Sequence, residues 1–255
     1  MPVHDLPFRT PLMNAAGSLG FAPDVHGPVD LKHFGAFVTN PVSAGVRTPA
    51  NGERWLAYPG GFLLHTGYPN PGLPAVIRHY AAHWARAPLP VLVHLLGQSA
   101  DRVAYMVRWL ENLEGVLGIE LGVPPDAGVE MVTALAQAAQ GELPVIVCLP
   151  LERAVELAQA LAGSADAFSL APPRGVLPGR DGTLVGGRLY GPSIFPLALS
   201  AVRSLAHSGL RVIGAGGVYQ SGQVEAMLAA GAVGVQLDAV LWRGGFDADD
   251  HPGYR

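Results

Sequence analysis

Short apolar runs alternate with longer helical patterns along the whole chain. The runs Leu12–Ala16, Ala36–Asn40, Val91–Leu96, Gly118–Val123, Val145–Leu149, Ala167–Ala171, Val212–Ala215 and Gly234–Asp238 are mostly continuous rather than alternating. That pattern suits strands covered on both faces, as in parallel sheets. Between them, apolar positions at helical spacing predict helices over Pro74–Ala87, Ala100–Leu113, Val129–Gln140, Glu152–Ala162, Ile194–His207 and Gly222–Ala230. The first crossover, Asp24–His33, is short. Eight strands alternating with helices, with no break in composition, predict an α/β fold: a single (β/α)8 TIM barrel over residues 1–255. An open doubly wound sheet is the alternative that strand counting leaves.

Two Gly- and Pro-rich stretches interrupt the alternation. Pro41–Gly72 follows the second strand and Pro172–Pro192 follows the sixth, so both emerge at the C-terminal face where barrels build their sites. Loops this long are expected to be functional. After the last strand, Leu241–Arg255 leaves room for only a short or absent eighth helix.

Composition narrows the function classes. A net charge of -4 gives no basic footprint for nucleic acid. No apolar run is long enough to cross a bilayer, and the first residues lack a secretory pattern, so a cytoplasmic protein without membrane contact is expected. Cys148 is the only cysteine, which excludes an intrachain disulfide and a cysteine-ligated cluster. His65 and His94 lack a third ligand, so no metal site is expected. Lys32 is the only lysine against fifteen arginines, and it precedes the second strand, at the wrong end of a barrel for chemistry.

Five segments, in order, resemble dihydroorotate dehydrogenases, most closely the soluble class 1 enzymes. They are Pro11–Gly20, Gly35–Val42, Pro59–Gly72, Tyr190–Pro196 and Ile213–Val218. The resemblance implies an FMN-dependent oxidoreductase of pyrimidine biosynthesis acting on a small planar carboxylate. Flavin contacts would fall on Ala15, Ala16, Gly17, Asn40, Gly191, Gly216 and Gly217, and substrate contacts on His65, Thr66, Gly67, Tyr68 and Asn70. It also implies a homodimer or a partner subunit.

Much of the family's chemistry is missing. The stretch that holds the family base reads Glu120-Leu-Gly-Val-Pro-Pro-Asp126, with no Cys, Ser, Thr or Asn. Asp126 is the one replacement there, and its place before a helical pattern also suits an N-cap. Asn40 and Cys148 stand where the family has lysines; Cys148 is either a buried small hydrophobe or a relocated thiol. The first asparagine of the substrate loop is Leu64, and His94 sits where the family often has Asn. Asp238-Ala239 replaces the family's Gly-Thr turn, setting a carboxylate against a flavin phosphate unless Arg180 or Arg243 offsets it or Asp238 turns to cap the tail. Ordinary dihydroorotate oxidation is therefore expected to be weak or absent. Three readings remain: a divergent FMN enzyme, a flavin-free pseudoenzyme that binds or scaffolds, and a non-redox barrel enzyme using Cys148, His65, His94 or Glu120.

Overall fold

A computed structural model describes residues 4–243 and 246. Eight parallel strands close into a barrel: β1 (Leu12–Asn14), β2 (Phe34–Val38), β5 (Val91–Leu96), β6 (Val116–Gly122), β7 (Val145–Pro150), β8 (Ala167–Ala171), β11 (Val212–Ala215) and β12 (Gly234–Leu237). All eight apolar runs became strands of one closed sheet, which settles the choice against an open one. Helices α1 (Leu73–Trp84), α2 (Ala100–Leu110), α3 (Val129–Ala138), α4 (Ala154–Ala160), α5 (Phe195–His207) and α6 (Ser221–Ala229) cover the outside. The first crossover holds only a 3-10 turn, Leu31–His33. Another 3-10 turn, Ala239–Arg243, follows β12; whether a longer eighth helix exists beyond it falls outside the described residues.

Strand residues alternate in direction, so each strand feeds two cores. Met13, Ala36, Val38, Leu92, Ile146, Ala167 and Ile213 fill the barrel's interior, with Leu6 and Phe8 packed among them. The alternate set, including Phe37, Val93, Ile119, Val147 and Val235, packs against the helices. A fully buried side chain of this size contributes roughly 1.5–3 kcal/mol, so closing the barrel commits both layers together. Strand β1 is short and its register with β2 is irregular. The buried Asn14 side chain makes up for this, donating to Val38 O at 2.7 Å and accepting from Val38 N at 2.9 Å.

Two helix starts are set by side-chain caps. Ser99 caps α2 by accepting from Arg102 N, and Gln220 with Gln223 forms a capping box on α6. The N-cap of α3 is Gly128, not Asp126, which is exposed two residues earlier and caps nothing.

The two long Gly/Pro-rich stretches are not plain loops. Each contributes a hairpin: β3 (Trp55–Tyr58) with β4 (Gly61–Leu64), and β9 (Arg174–Pro178) with β10 (Leu184–Tyr190). The hairpins join edge to edge through Leu64↔Arg188, Leu63↔Leu189 and Phe62↔Tyr190, giving a four-stranded antiparallel sheet in the order β3-β4-β10-β9. Gly191, with φ +135, closes this junction, because a Cβ there would lie 2.3 Å from Gly60 O. Both hairpins follow the C-terminal ends of barrel strands, so the sheet roofs the mouth.

Candidate functional site

Pairing register decides what the roof presents to the barrel. Phe62, Leu64, Arg174, Arg188 and Tyr190 share one face because side chains on a strand alternate. Trp55, Phe62, Tyr190 and Trp242 form a run of ring contacts, with centroids 6.2 Å apart for Trp55–Phe62, 5.4 Å for Phe62–Tyr190 and 5.5 Å for Tyr190–Trp242. The Trp242 indole N–H donates to Ser18 O at 3.1 Å, tying the segment after β12 to the turn after β1. Burial pushes the Tyr190 hydroxyl far above its ordinary range.

Under this roof lies an inner cavity of about 50 Å³, walled by residues that include Ala15, Ala16, Cys148, Gly216, Asp238 and Trp242. Its floor is polar. Glu120 on β6 is fully buried and accepts three hydrogen bonds of 2.6 Å, from His94 Nδ1, Ser169 Oγ and Gln236 Nε2. Burial acts to raise Glu120, but the hydrogen bond and charge of His94, with the Ser169 and Gln236 bonds, hold its carboxyl below the usual range. An ionised carboxylate at the centre of a barrel survives only when its lone pairs are met in this way. Cys148 lies beside the network, where burial and then the Glu120 charge push its thiol up to about 12. That is the reverse of activation.

The glycine turn after β11 meets the end of β12. Gly216 and Gly217 both have positive φ, +108 and +70, and a Cβ on Gly217 would lie 2.5 Å from Phe195 N. The Asp238 carboxylate lies at this point, accepting the Ala239 N–H at 2.5 Å and close enough to the Gly217 N–H for that group to favour its charged form. Burial raises Asp238 to about 6 against the pull of those N–H groups.

A second, outer cavity of about 270 Å³ lies between the roof and the ends of β5 and β6. Three arginines line it, Arg47, Arg174 and Arg188, with His65, Thr66, Gly67 and Tyr68 along one side. The Arg188 guanidinium sits 5.0 Å from the centre of the Tyr68 ring. Tyr68 has φ +54, the only non-glycine positive φ among the described residues, a conformation that costs of order 1–3 kcal/mol.

The structure separates residues that the sequence grouped. Ala15, Ala16, Cys148 and Gly216 line the inner cavity, whereas His65, Thr66 and Gly67 line the outer one; Tyr68 belongs to both. His94, Glu120 and Cys148 meet around the inner cavity, but His65 is not among its walls. Asn40 turns to Gly20, accepting its N–H at 3.1 Å, and Gly17 holds a positive φ of +89 in the turn after β1. The Asn70 side chain braces its own loop, accepting from Ser43 N and Gly72 N and donating to Tyr68 O. Asp126 reaches neither cavity. Arg180 is exposed and pairs with Glu53 at 3.3 Å instead of approaching the glycine turn, and the Arg243 side chain lies outside the described residues. No group of three or more His, Cys, Asp or Glu among the described residues is arranged to hold a metal. No helix among them is long and apolar enough to cross a membrane.

Sequence reasoning passed over Arg174, Arg188, Ser169 and Gln236. The hairpin turn Asp181-Gly182 between two short apolar segments was the available signal for the two arginines, since it sets β9 against β10. A lone Glu and a lone Gln in apolar strands were the signal for the network.

Comparison with known proteins agrees with this architecture. A family model described as dihydroorotate dehydrogenase matches residues 1–140. The chain is similar to proteins named dihydroorotate dehydrogenase B (NAD(+)), catalytic subunit. That from Pelobacter propionicus is 30% identical, over 91% of this chain and 84% of the relative. The one from Trichlorobacter lovleyi is 29% identical, over 92% and 84%, and that from Geobacter metallireducens 30%, over 90% and 82%.

Proposed function

This chain belongs to the dihydroorotate dehydrogenase family, and from that premise we propose that it works without the family's flavin, as a barrel that binds a small anion at its mouth. The observation that carries this is the Asp238 carboxylate buried at the glycine turn, on the Ala239 N–H and beside that of Gly217. Backbone N–H groups at such a turn are what a phosphate would use. Here an internal anion already sits beside them.

The residues present do not fit flavin mononucleotide. A phosphate about 4 Å from an ionised carboxylate meets a repulsion of roughly 4 kcal/mol per unit charge at an effective dielectric near 20. That is about a thousandfold in affinity. The inner cavity of about 50 Å³, with Tyr190 and Trp242 among its walls, is also far below the roughly 300 Å³ at which small-molecule sites begin. No lysine is present among the cavity walls; the cation that lines the inner cavity is Arg188, which the outer cavity shares.

An acid–base enzyme built on His94 and Glu120 is the second reading, favoured by their 2.6 Å contact. The same small volume admits no substrate beside them, so the pair reads better as a satisfied core network. Since the relatives carry the name of a catalytic subunit, a partner subunit for this chain is part of the proposal.

The deciding experiment is the visible absorbance of the purified protein, before and after incubation with FMN and desalting. A colourless protein with no dihydroorotate turnover is expected. Retention of flavin near one equivalent per chain overturns the proposal.

A further inference from the structure

Arg174 and Arg188 are direct cross-strand partners in β9 and β10. Like charges set opposite each other in an antiparallel pair destabilise it. The usual remedy is a carboxylate between them, and among the described residues neither guanidinium has one. Glu152 is near enough for its charge to act on Arg188, but it makes no ion pair with either guanidinium, its Oε1 accepting the backbone N–H of Arg174 at 3.3 Å. Arg47 adds a third cation to the same cavity, its Nε donating to Gly67 O at 3.1 Å. No Asp or Glu is among the cavity's walls.

The surroundings give this charge a shape. The Tyr68 ring lies under the Arg188 guanidinium, 5.0 Å away, on a backbone held in the left-handed region. Leu64, Leu96, Val123, Pro124 and Pro125 supply an apolar wall facing the cations. A volume of about 270 Å³ limits the occupant to about one ring.

We infer that the outer cavity is a site for a compact dianion, a one-ring or smaller molecule carrying two negative charges, bound between Arg174 and Arg188 with Arg47 at the edge. This rests on the anion-binding part of the reading above and goes further by naming the ligand class. Aromatic dicarboxylates and phosphomonoesters share the required chemistry. One negative charge leaves the opposed pair and Arg47 uncompensated, whereas two, spread over several oxygens, engage both cross-strand guanidiniums with charge-assisted hydrogen bonds.

Isothermal titration of the purified chain at low ionic strength tests this with three probes: orotate (a planar monocarboxylate), pyridine-2,6-dicarboxylate and phenyl phosphate. At least one dianion is expected to bind about tenfold or more tighter than orotate. Which dianion leads identifies carboxylate or phosphoryl as the natural headgroup. Arg174→Gln, on an exposed position, and Arg188→Gln should each remove most of that advantage, whereas Arg203→Gln on the far side of α5 should not. Circular dichroism checks that each variant is folded. Orotate binding as tightly as both dianions, no binding by any probe, or a dianion preference untouched by Arg174→Gln would each overturn the inference. Absorbance of the same sample separates the two proposals: flavin retention refutes only the flavin-free reading, and loss of dianion preference in a colourless protein refutes only this one.

Discussion

Asp238, just past the end of the last barrel strand, lies buried beside Gly217 in the turn that follows the strand before it, with its carboxylate on the Ala239 N–H at 2.5 Å. The contact places an acidic group where its charged form is poorly solvated. Its carboxyl is raised from 3.8 to about 6. The native state thus holds this proton more tightly than the unfolded chain does.

Stability should carry the mark of that group. Below pH 3.8 Asp238 is protonated in both states and costs nothing, whereas above pH 6 it is charged in both and burial of the charge is fully felt. The loss across that window is on the order of 3 kcal/mol, at about 1.36 kcal/mol per unit of displacement. Asp238→Asn removes the titration. Its unfolding free energy relative to the parent chain should therefore rise by about that amount between pH 4 and pH 8 in urea melts. A difference that stays flat across the window would refute the assignment.

Glu120 is expected to be the most sensitive polar position in the barrel. Glu120→Ala leaves the donors of His94, Ser169 and Gln236 buried without an acceptor, a loss of roughly 3–5 kcal/mol. Glu120→Gln keeps the volume and one acceptor oxygen, and should cost less. Equilibrium denaturation of the two variants gives the comparison. An alanine variant within about 1 kcal/mol of the parent would show that the network is not structural.

Cys148 should behave as an inert core residue. With a thiol pushed up to about 12, only about one molecule in ten thousand carries a thiolate at pH 8. Ellman's reagent added to native protein should show essentially no reaction, and one thiol should appear on unfolding in guanidinium. Modification of the folded chain at the rate of a free cysteine would contradict this burial.

The barrel was legible because its strands are buried on both faces, which leaves nearly continuous apolar runs such as Val145–Leu149. Strand β9 had no such mark. Its Arg-Gly-Val-Leu-Pro alternates exposed and half-buried positions, and β10 carries Gly186 and Gly187 where a strand former would be expected. Gly187 is small for a packing reason: a Cβ there would fall 2.5 Å from a Leu63 methyl. Turn residues in these stretches therefore looked like loop punctuation, although they shape a sheet.

At the site, chemistry that depends on one segment was easier to read than chemistry shared between segments. The missing base and lysines could be seen from single strands. The Arg174–Arg188 pair could not, because it exists only through the register of β9 against β10. Asp238 was visible as an obstacle to phosphate, but that it lies beside the Gly217 N–H depends on how β11 and β12 end side by side.

The β4–β10 seam carries a consequence for the order in which the molecule assembles. It joins a hairpin inserted after β2 to one inserted after β8. A two-stranded hairpin alone is marginal in water, and neither one has a further strand partner in its own half of the chain. Their pairing is expected to wait for barrel closure, which brings the distant segments together and absorbs the loop-closure entropy. The walls are then in place before the mouth, with its opposed arginines and its left-handed tyrosine, acquires its shape.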